Sequence, residues 1–133
     1  MNKRQLFKKL SEDFDIKKTK NSSYDFDLVI NDTQYSLWVI PVTKNTQVTF
    51  NSHKIWELSK GKIDGIRFHK TSKTLLHLNG FTSKENKVVY LTNKPYRKLK
   101  YLNESDIIDV SDETIIHDIL FIENIEDFNK LIK

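Results

Sequence analysis

The chain contains no alanine, only three glycines and no cysteine among its 133 residues. Alanine is the strongest helix former, so its absence argues against alanine-rich helices, and scarce glycine argues against a glycine-rich phosphate loop. The lack of cysteine excludes disulfides, thiolate zinc sites and cysteine nucleophiles. Because 38% of the residues are hydrophobic, the chain can bury a core, and we expect one globular domain spanning residues 1–133.

Two neighbouring β-rich runs predict a hairpin near the start of the chain. Apolar residues alternate with others in residues 24–30, which is typical of a half-buried strand. Residues 35–42 form the second run, and residues 31–34 between them have the composition of a turn. Pro41 cannot donate to a ladder, so we expect strand pairing to be interrupted there.

Further strands and three helices complete the predicted fold. We expect strands at residues 63–69, 73–78 and 87–92, and in 115–122 with a break at His117 and Asp118. We expect a helix at residues 3–14 and a short helix that Asn51 or Ser52 caps and that runs through Lys60 to a stop at Gly61. We expect a third helix after the N-cap Asn124, with a buried stripe of Ile125, Phe128, Leu131 and Ile132. Residues 17–23 read as a solvated connection. The sequence therefore predicts an α+β domain, a mixed or antiparallel β-sheet with N-terminal, central and C-terminal helices.

The charges are segregated along the chain. The net charge is +2 for residues 1–44, +9 for residues 45–101 and −7 for residues 102–133. A basic segment beside an acidic one is typical of a nucleic-acid surface with an acidic flank. Of the 22 cations, 19 are lysines, which contact phosphates rather than read base edges, so we expect backbone contacts that weaken with salt. The alternative is that these lysines are solvated tips on strand edges.

The basic segment supplies the candidate nucleic-acid-binding residues, because its cations are interleaved with aromatic rings that can stack on bases. Residues 94–101 are the best local candidate, and a cationic loop on a strand edge is the alternative. The predicted binding residues are Lys60, Lys62, Arg67, Lys70, Lys73, Lys94, Tyr96, Arg97, Lys98, Lys100 and Tyr101.

Aspartates on the first β-rich run suggest a second interpretation. Asp25 and Asp27 lie on residues 24–30, and Asp32 follows in the turn. Residues 1–78 resemble the restriction-endonuclease-like PD-(D/E)xK nucleases, which include the Holliday-junction resolvases. The resemblance is in the order of elements: a helix, an aspartate-bearing strand, a second apolar strand, a helix and a further strand. In that family a strand aspartate and a downstream Glu-x-Lys hold magnesium for phosphodiester hydrolysis.

This sequence departs from the nuclease family at the catalytic motif. Residues 40–42, Ile-Pro-Val, stand where Glu-x-Lys is expected, and Lys44 lies two residues further on without a glutamate. The resemblance therefore implies a degenerate nuclease-like fold without catalytic or metal-binding residues. The alternative reading places the aspartates on the solvent face of a strand. A metal-dependent nuclease would require Asp27 to be essential for cleavage.

Two functions of different class follow. The first is a non-catalytic nucleic-acid-binding domain that contacts DNA or RNA backbones through its lysine-rich middle. The second is a small phage or mobile-element protein, an accessory or inhibitor that binds a protein partner through its acidic end, unless that end folds back on the basic middle. The acidic residues are Asp106, Asp109, Asp112, Glu113, Asp118, Glu123, Glu126 and Asp127.

The remaining predictions are negative. The four histidines, His53, His69, His77 and His117, lack the spacing of a compact metal site, so we expect neither a metal nor a cofactor. No apolar run approaches the roughly 20 residues that a membrane span needs, and no signal peptide is visible, so we expect a cytoplasmic protein.

Overall fold

The computed structural model describes residues 1–20, 23–52, 54–65, 67–78 and 80–132. Asn21 and Ser22 of the predicted connection, His53, and Ile66 of the predicted strand 63–69 therefore lie outside the described residues. Within these ranges the chain forms helix α1 (Lys3–Leu10), eleven strands and a C-terminal 3₁₀ helix (Ile125–Leu131). The strands are β1 (Asp15–Lys18), β2 (Phe26–Ile30), β3 (Thr33–Ile40), β4 (Thr46–Phe50), β5 (Ile55–Asp64), β6 (Arg67–His77), β7 (Lys87–Leu91), β8 (Arg97–Tyr101), β9 (Ile107–Asp109), β10 (Ile115–Ile116) and β11 (Ile119–Ile122).

The described strands form two sheets. The first has the order β1-β2-β3-β7-β11-β10, and the second has the order β6-β5-β4-β8-β9. Strands β3 and β7 pair in parallel in the first sheet, and their continuations β4 and β8 pair in parallel in the second. Residues 41–45 and 92–96 therefore carry two neighbouring segments from one sheet into the other.

Two hydrophobic clusters hold the layers together. The cluster between the sheets is aromatic, with the Trp38 and Trp56 rings stacked at 5.9 Å and the Phe50 ring edge-on to Trp56 at 4.9 Å. On the opposite face of the first sheet, Leu6 of α1 and Phe128 of the 3₁₀ helix are buried against a second cluster. Alternate residues of β3 enter the two clusters, which is why this strand is apolar on both faces.

The predicted α+β class is wrong, because strands dominate the described residues and helices are confined to two short segments. Residues 55–60 of the predicted central helix instead form the first part of β5, which pairs with β4 on one side and β6 on the other. Trp56 and Leu58 alternate with Glu57 and Ser59, a period of two that indicates a strand. Ladders on both sides override any local helix signal.

Other boundaries also differ from the predictions. Helix α1 ends at Leu10 rather than at residue 14, and the predicted connection 17–23 begins inside strand β1. Strand β4 lies in residues for which no element was predicted. The C-terminal helix is a 3₁₀ helix in which the Asn124 side chain accepts a hydrogen bond from the Glu126 N–H at 3.2 Å, as its N-cap role predicts, whereas Ile132 is exposed.

The predicted hairpin at residues 24–42 is confirmed. Strands β2 and β3 pair antiparallel, and the turn between them consists of Asn31 and Asp32, both with positive φ. His117 and Asp118 form a similar two-residue turn between β10 and β11, as the break in the β-prone run predicted. Neither helix within the described residues is long and apolar enough to cross a lipid bilayer.

Candidate nucleic-acid interface

The β5–β6 hairpin is a long two-stranded ribbon that extends beyond the paired strand β4. Lys60 of β5 pairs with Thr46, the first residue of β4, and β5 continues for four further residues. Beyond this point the Gly61 N–H donates to the Asn45 carbonyl at 3.2 Å. Residues 62–65, 67, 69 and 70 are exposed. The distal part of the ribbon, which we define as residues 60–65 and 67–70, therefore presents most of its side chains to solvent, with Phe68 half-buried.

A β-bulge reshapes the ribbon where it passes β4. The register shifts between Lys60 and Gly61, because Lys60 pairs with Ser72 and Gly61 pairs with Lys70. Thr71 is the extra residue, and its hydroxyl donates to the Lys60 carbonyl at 3.2 Å. A Cβ at position 61 would lie 2.3 Å from the His69 carbonyl oxygen and 2.9 Å from the Phe68 ring. Only glycine fits this close approach of the two strands.

An aromatic pair forms between Phe68 of the ribbon, whose ring lies close to Gly61, and Tyr96, the residue before β8. The rings of Phe68 and Tyr96 stack with centroids 5.6 Å apart and planes 12° from parallel. The Arg97 guanidinium lies 5.4 Å from the centroid of the Tyr96 ring. Phe68 and Tyr96 are both half-buried, so part of this pair faces solvent. Half-exposed rings beside cations are the elements of a base-stacking platform.

The ribbon carries its cations on both faces. Along β5, Lys60 and Lys62 lie on the face opposite to Glu57 and Ser59, because side chains alternate along a strand. Across the ladder, His69 pairs with Lys62, and Arg67 pairs with Asp64. Among the described residues, Lys60, Lys62 and Arg67 make no ion pair within 4 Å. These three exposed cations are available to an outside anion.

On the other face, Lys70 and Lys73 converge on Glu57. Their ammonium groups lie 3.2 Å and 3.7 Å from the carboxylate, which also accepts a 2.8 Å hydrogen bond from the Ser59 hydroxyl. Burial raises the pKa of Glu57, but the Ser59 hydrogen bond and the two lysines outweigh burial, so the pKa lies below its ordinary value of 4.5. Lys70 and Lys73 are therefore partly neutralised at neutral pH.

Strand β8 separates the residues predicted as one local segment. Lys98 is 3% exposed, with its ammonium 3.3 Å from the Glu123 carboxylate and 3.1 Å from the Glu113 carbonyl oxygen. It also lies over the Phe121 ring at 5.5 Å. This lysine is held between the sheets and cannot reach a nucleic acid, so its assignment as a binding residue is corrected. Lys94 is exposed and lines a small cavity together with Lys98 and the acidic residues Asp112, Glu113, Glu123 and Asp127.

Arg97 and Tyr101 lie on the opposite face of β8 from Lys98. The Arg97 Nε–H donates to the Gln47 side-chain oxygen at 2.6 Å. Tyr101 lines a groove of about 680 Å³ whose walls include Glu57 and Lys70. Lys100 is half-buried and, by alternation, shares the face of Lys98. The structure therefore brings Arg97 and Tyr101 to the side of the Glu57 cluster and separates Lys94, Lys98 and Lys100 from it.

Besides strand pairing, two charged contacts among the described residues join the acidic end to the basic middle. Glu123 neutralises Lys98, as described above. Hydrogen bonds from Ser111 lower the pKa of Asp109, and the charges of Arg97 and Lys98 lower it further. Asp112, Glu113, Asp118 and Glu126 are exposed. The acidic end thus covers part of β8 and leaves the distal ribbon uncovered.

Asp27 of β2 and Asp25, the residue before β2, both accept hydrogen bonds from other residues of the fold. Asp25 accepts hydrogen bonds from the Lys3 ammonium at 2.8 Å and from the Val39 N–H at 2.7 Å. Asp27 accepts from the Tyr24 hydroxyl at 2.6 Å and from the Gln34 amide at 3.3 Å. Among the described residues, no group of three or more His, Asp or Glu side chains is placed to hold a metal ion. The contacts of these two aspartates stabilise the β2–β3 hairpin.

Sequence reasoning counted Phe68 among the rings interleaved with cations but did not name it a binding residue, and it missed a cluster of cations around α1. Phe68 could have been found from its alternation with Arg67 and His69 in an exposed strand.

Comparisons with protein-family models, with curated proteins and with solved structures give no match to this chain. The function is therefore argued from the surface itself.

Proposed function

We propose that this protein is a non-catalytic nucleic-acid-binding domain whose distal β5–β6 ribbon contacts the phosphate backbone. The observation that carries the proposal is the set of exposed cations Lys60, Lys62 and Arg67, which lack ion pairs among the described residues. Residues 55–77 hold five Lys or Arg against two Asp or Glu, a net charge of +3. Lys70, Lys73 and Arg97 extend the positive surface, although carboxylates face them.

The shape of the ribbon supports the same function. A two-stranded antiparallel ribbon is narrow enough to enter the major groove of a duplex, and exposed cations on both faces then lie near phosphates of both walls. Lysine contacts phosphate as a point charge, so we expect weak sequence preference. Tyr96 and Phe68 offer a ring surface to an unpaired base beside Arg97.

The direct test is fluorescence anisotropy at low salt with labelled single-stranded, duplex and branched DNA and with RNA. The test variant replaces the three unpaired cations as Lys60→Gln, Lys62→Gln and Arg67→Gln. The matched control removes the same charge at exposed positions elsewhere, as Lys9→Gln, Lys17→Gln and Lys130→Gln. Circular dichroism and thermal unfolding verify that both variants remain folded.

We expect the wild type and the control variant to bind at least one of the four probes. We expect the ribbon variant to bind about tenfold more weakly or worse, because it loses three phosphate contacts. Absence of wild-type binding to all four probes at low salt would contradict the function. If the ribbon and control variants lose the same amount of nucleic-acid affinity, binding depends only on net charge, and the ribbon is not the binding site.

A protein-interaction role is the second proposal, and the exposed acids Asp112, Glu113 and Asp118 favour it, since none has an ion pair among the described residues. An affinity pull-down from host cells should then recover a partner that is lost with Asp112→Asn, Glu113→Gln and Asp118→Asn. Recovery of nothing argues against this role. The phage or mobile-element origin, the cytoplasmic location and the relation to degenerate nucleases stay predictions from the sequence.

A further inference from the structure

A second basic surface lies on the helical face of the first sheet, away from the ribbon. A groove of about 870 Å³ runs between α1 and the segments that contain β1 and the start of β2. Its cations are Lys3, Arg4 and Lys8 of α1 and Lys18 of β1. Phe7 of α1 and Phe26 of β2 form its apolar wall, with ring centroids 5.1 Å apart.

Two periodicities bring these cations together. Arg4 and Lys8 are four residues apart on α1 and therefore lie on one side of the helix. Lys18 follows the buried Ile16 by two residues, so its side chain projects from the same face of β1 as Ile16, toward the helix. Lys18 also pairs with Phe26 in the β1–β2 ladder, which places it beside the aromatic wall.

The one carboxylate in this groove is already bound. Asp25 Oδ1 pairs with the Lys3 ammonium at 2.8 Å, and Asp25 Oδ2 accepts from the Val39 N–H at 2.7 Å. Among the described residues, Arg4, Lys8 and Lys18 make no ion pair within 4 Å. The groove therefore holds three cations that no carboxylate compensates.

This arrangement opposes local stability. Like charges at positions i and i+4 of a helix repel, as Arg4 and Lys8 do here. The first turn of α1 contains no acidic residue, although an acid would be favoured at a helix start. An anion bound between the three cations would remove this repulsion, and the apolar wall would accept a nonpolar or aromatic group beside it.

We propose that the α1 groove binds a phosphate group whose attached aromatic part lies against Phe7, as in a nucleotide. Arg4, with its forked guanidinium, can hold two phosphate oxygens, while Lys8 and Lys18 contribute point charges. The phosphate can come from a free nucleotide or from a nucleotide within a nucleic-acid strand. The site goes beyond the proposed function because it uses none of the ribbon residues.

Isothermal titration calorimetry with ADP and with inorganic pyrophosphate tests the free-ligand source, and anisotropy with the labelled oligonucleotides tests the strand source. Four proteins are compared: the wild type, a groove variant (Arg4→Gln, Lys8→Gln, Lys18→Gln), the ribbon variant and the control variant defined above. A further variant, Phe7→Leu, tests the aromatic wall. Thermal unfolding without ligand verifies that each variant is folded.

If the phosphate comes from a free nucleotide, the wild type, ribbon and control variants bind ADP, and the groove variant binds it about tenfold more weakly or worse. Phe7→Leu then weakens ADP binding more than pyrophosphate binding. A groove variant that weakens only oligonucleotide binding also supports the site and assigns it to a strand. A groove variant that matches the control with every probe overturns it. Loss in the ribbon variant alone supports the proposed function and rejects the groove.

Discussion

At the scale of single residues, Gly61 and Glu57 do more than their sequence context suggests. Gly61 was expected to end a helix, and it is instead the point where β6 and the Phe68 ring approach β5 most closely. Glu57 received no prediction from the sequence, and it is the charge that two lysines and a serine hydroxyl converge on. Apart from Ser59, the partners in both roles lie more than six positions away in sequence, so local patterns do not show them.

Replacing Gly61 tests the close approach of the two ribbon strands. We expect Gly61→Ala to lower the free energy of unfolding by about 1–3 kcal/mol, because the new Cβ would overlap the His69 carbonyl and the Phe68 ring. The control is Gly65→Asn, at a left-handed position with nothing near its Cβ, and it should be nearly neutral. Urea unfolding measures both, and an unchanged midpoint for Gly61→Ala would contradict the geometry.

Replacing Glu57 gives a pH-dependent effect. Because the folded pKa lies below 4.5, the ionised carboxylate stabilises the fold above that pH, and this stability is lost as the pH falls through the folded pKa. Glu57→Gln should lower the free energy of unfolding by about 1 kcal/mol at pH 7, and the difference from the wild type should shrink below pH 4.5.

Urea unfolding at pH 7 and pH 3 measures this difference. The control is the exposed Glu85→Gln, which should change little at either pH. A Glu57→Gln deficit that grows on acidification has the opposite sign to the one expected and would refute the role of Lys70 and Lys73.

At the scale of elements, the sequence predicted those whose local pattern agrees with their final environment. The β2–β3 hairpin, β7 and the break before β11 were found because alternation, turn residues and burial coincide there. Strand β5 was assigned to a helix because its capping signals preceded the alternation from Trp56 to Ser59, and only pairing on both sides decides between the two. Strand β1 was missed because it has one buried residue and three exposed ones.

The residues of the candidate site also differ in how well the sequence alone identified them. Exposed cations on β5 and β6 could be named from composition, whereas β8 was read as one continuous basic stretch. Alternation places Lys98 between the sheets and Arg97 and Tyr101 on the other face. The partner of Lys98, Glu123, is 25 residues away in sequence, so the neutralised lysine could not be recognised before the sheets were known.

Lys98 gives a prediction about packing between the sheets. We expect Lys98→Met to lower the free energy of unfolding by about 1–3 kcal/mol, because Glu123 and the Glu113 carbonyl lose their cation. The exposed Lys94→Met should change stability little. Urea unfolding measures the effect, and anisotropy should show that Lys98→Met, while folded, binds nucleic acid like the wild type. Selective loss of binding in that folded variant would contradict its placement away from the surface.

At the scale of the whole molecule, the net charge of +4 divides into surfaces of different character. The acidic end neutralises part of β8, and the Glu57 carboxylate neutralises part of the ribbon base. Among the described residues, the cations that make no ion pair within 4 Å include Lys60, Lys62 and Arg67 on the ribbon and Arg4, Lys8 and Lys18 in the groove. The second group lies in a segment whose net charge is only +2, which is why charge counting overlooked it.

The salt dependence of oligonucleotide binding tests the central claim most directly. Each phosphate contact contributes about 0.7 to 0.9 to the slope of log affinity against log salt, so the ribbon variant should have a slope smaller than the wild type by about 2 to 3. The control variant, with the same change in net charge, should keep the wild-type slope. A ribbon variant with the wild-type slope would contradict the claim that Lys60, Lys62 and Arg67 contact the phosphate backbone.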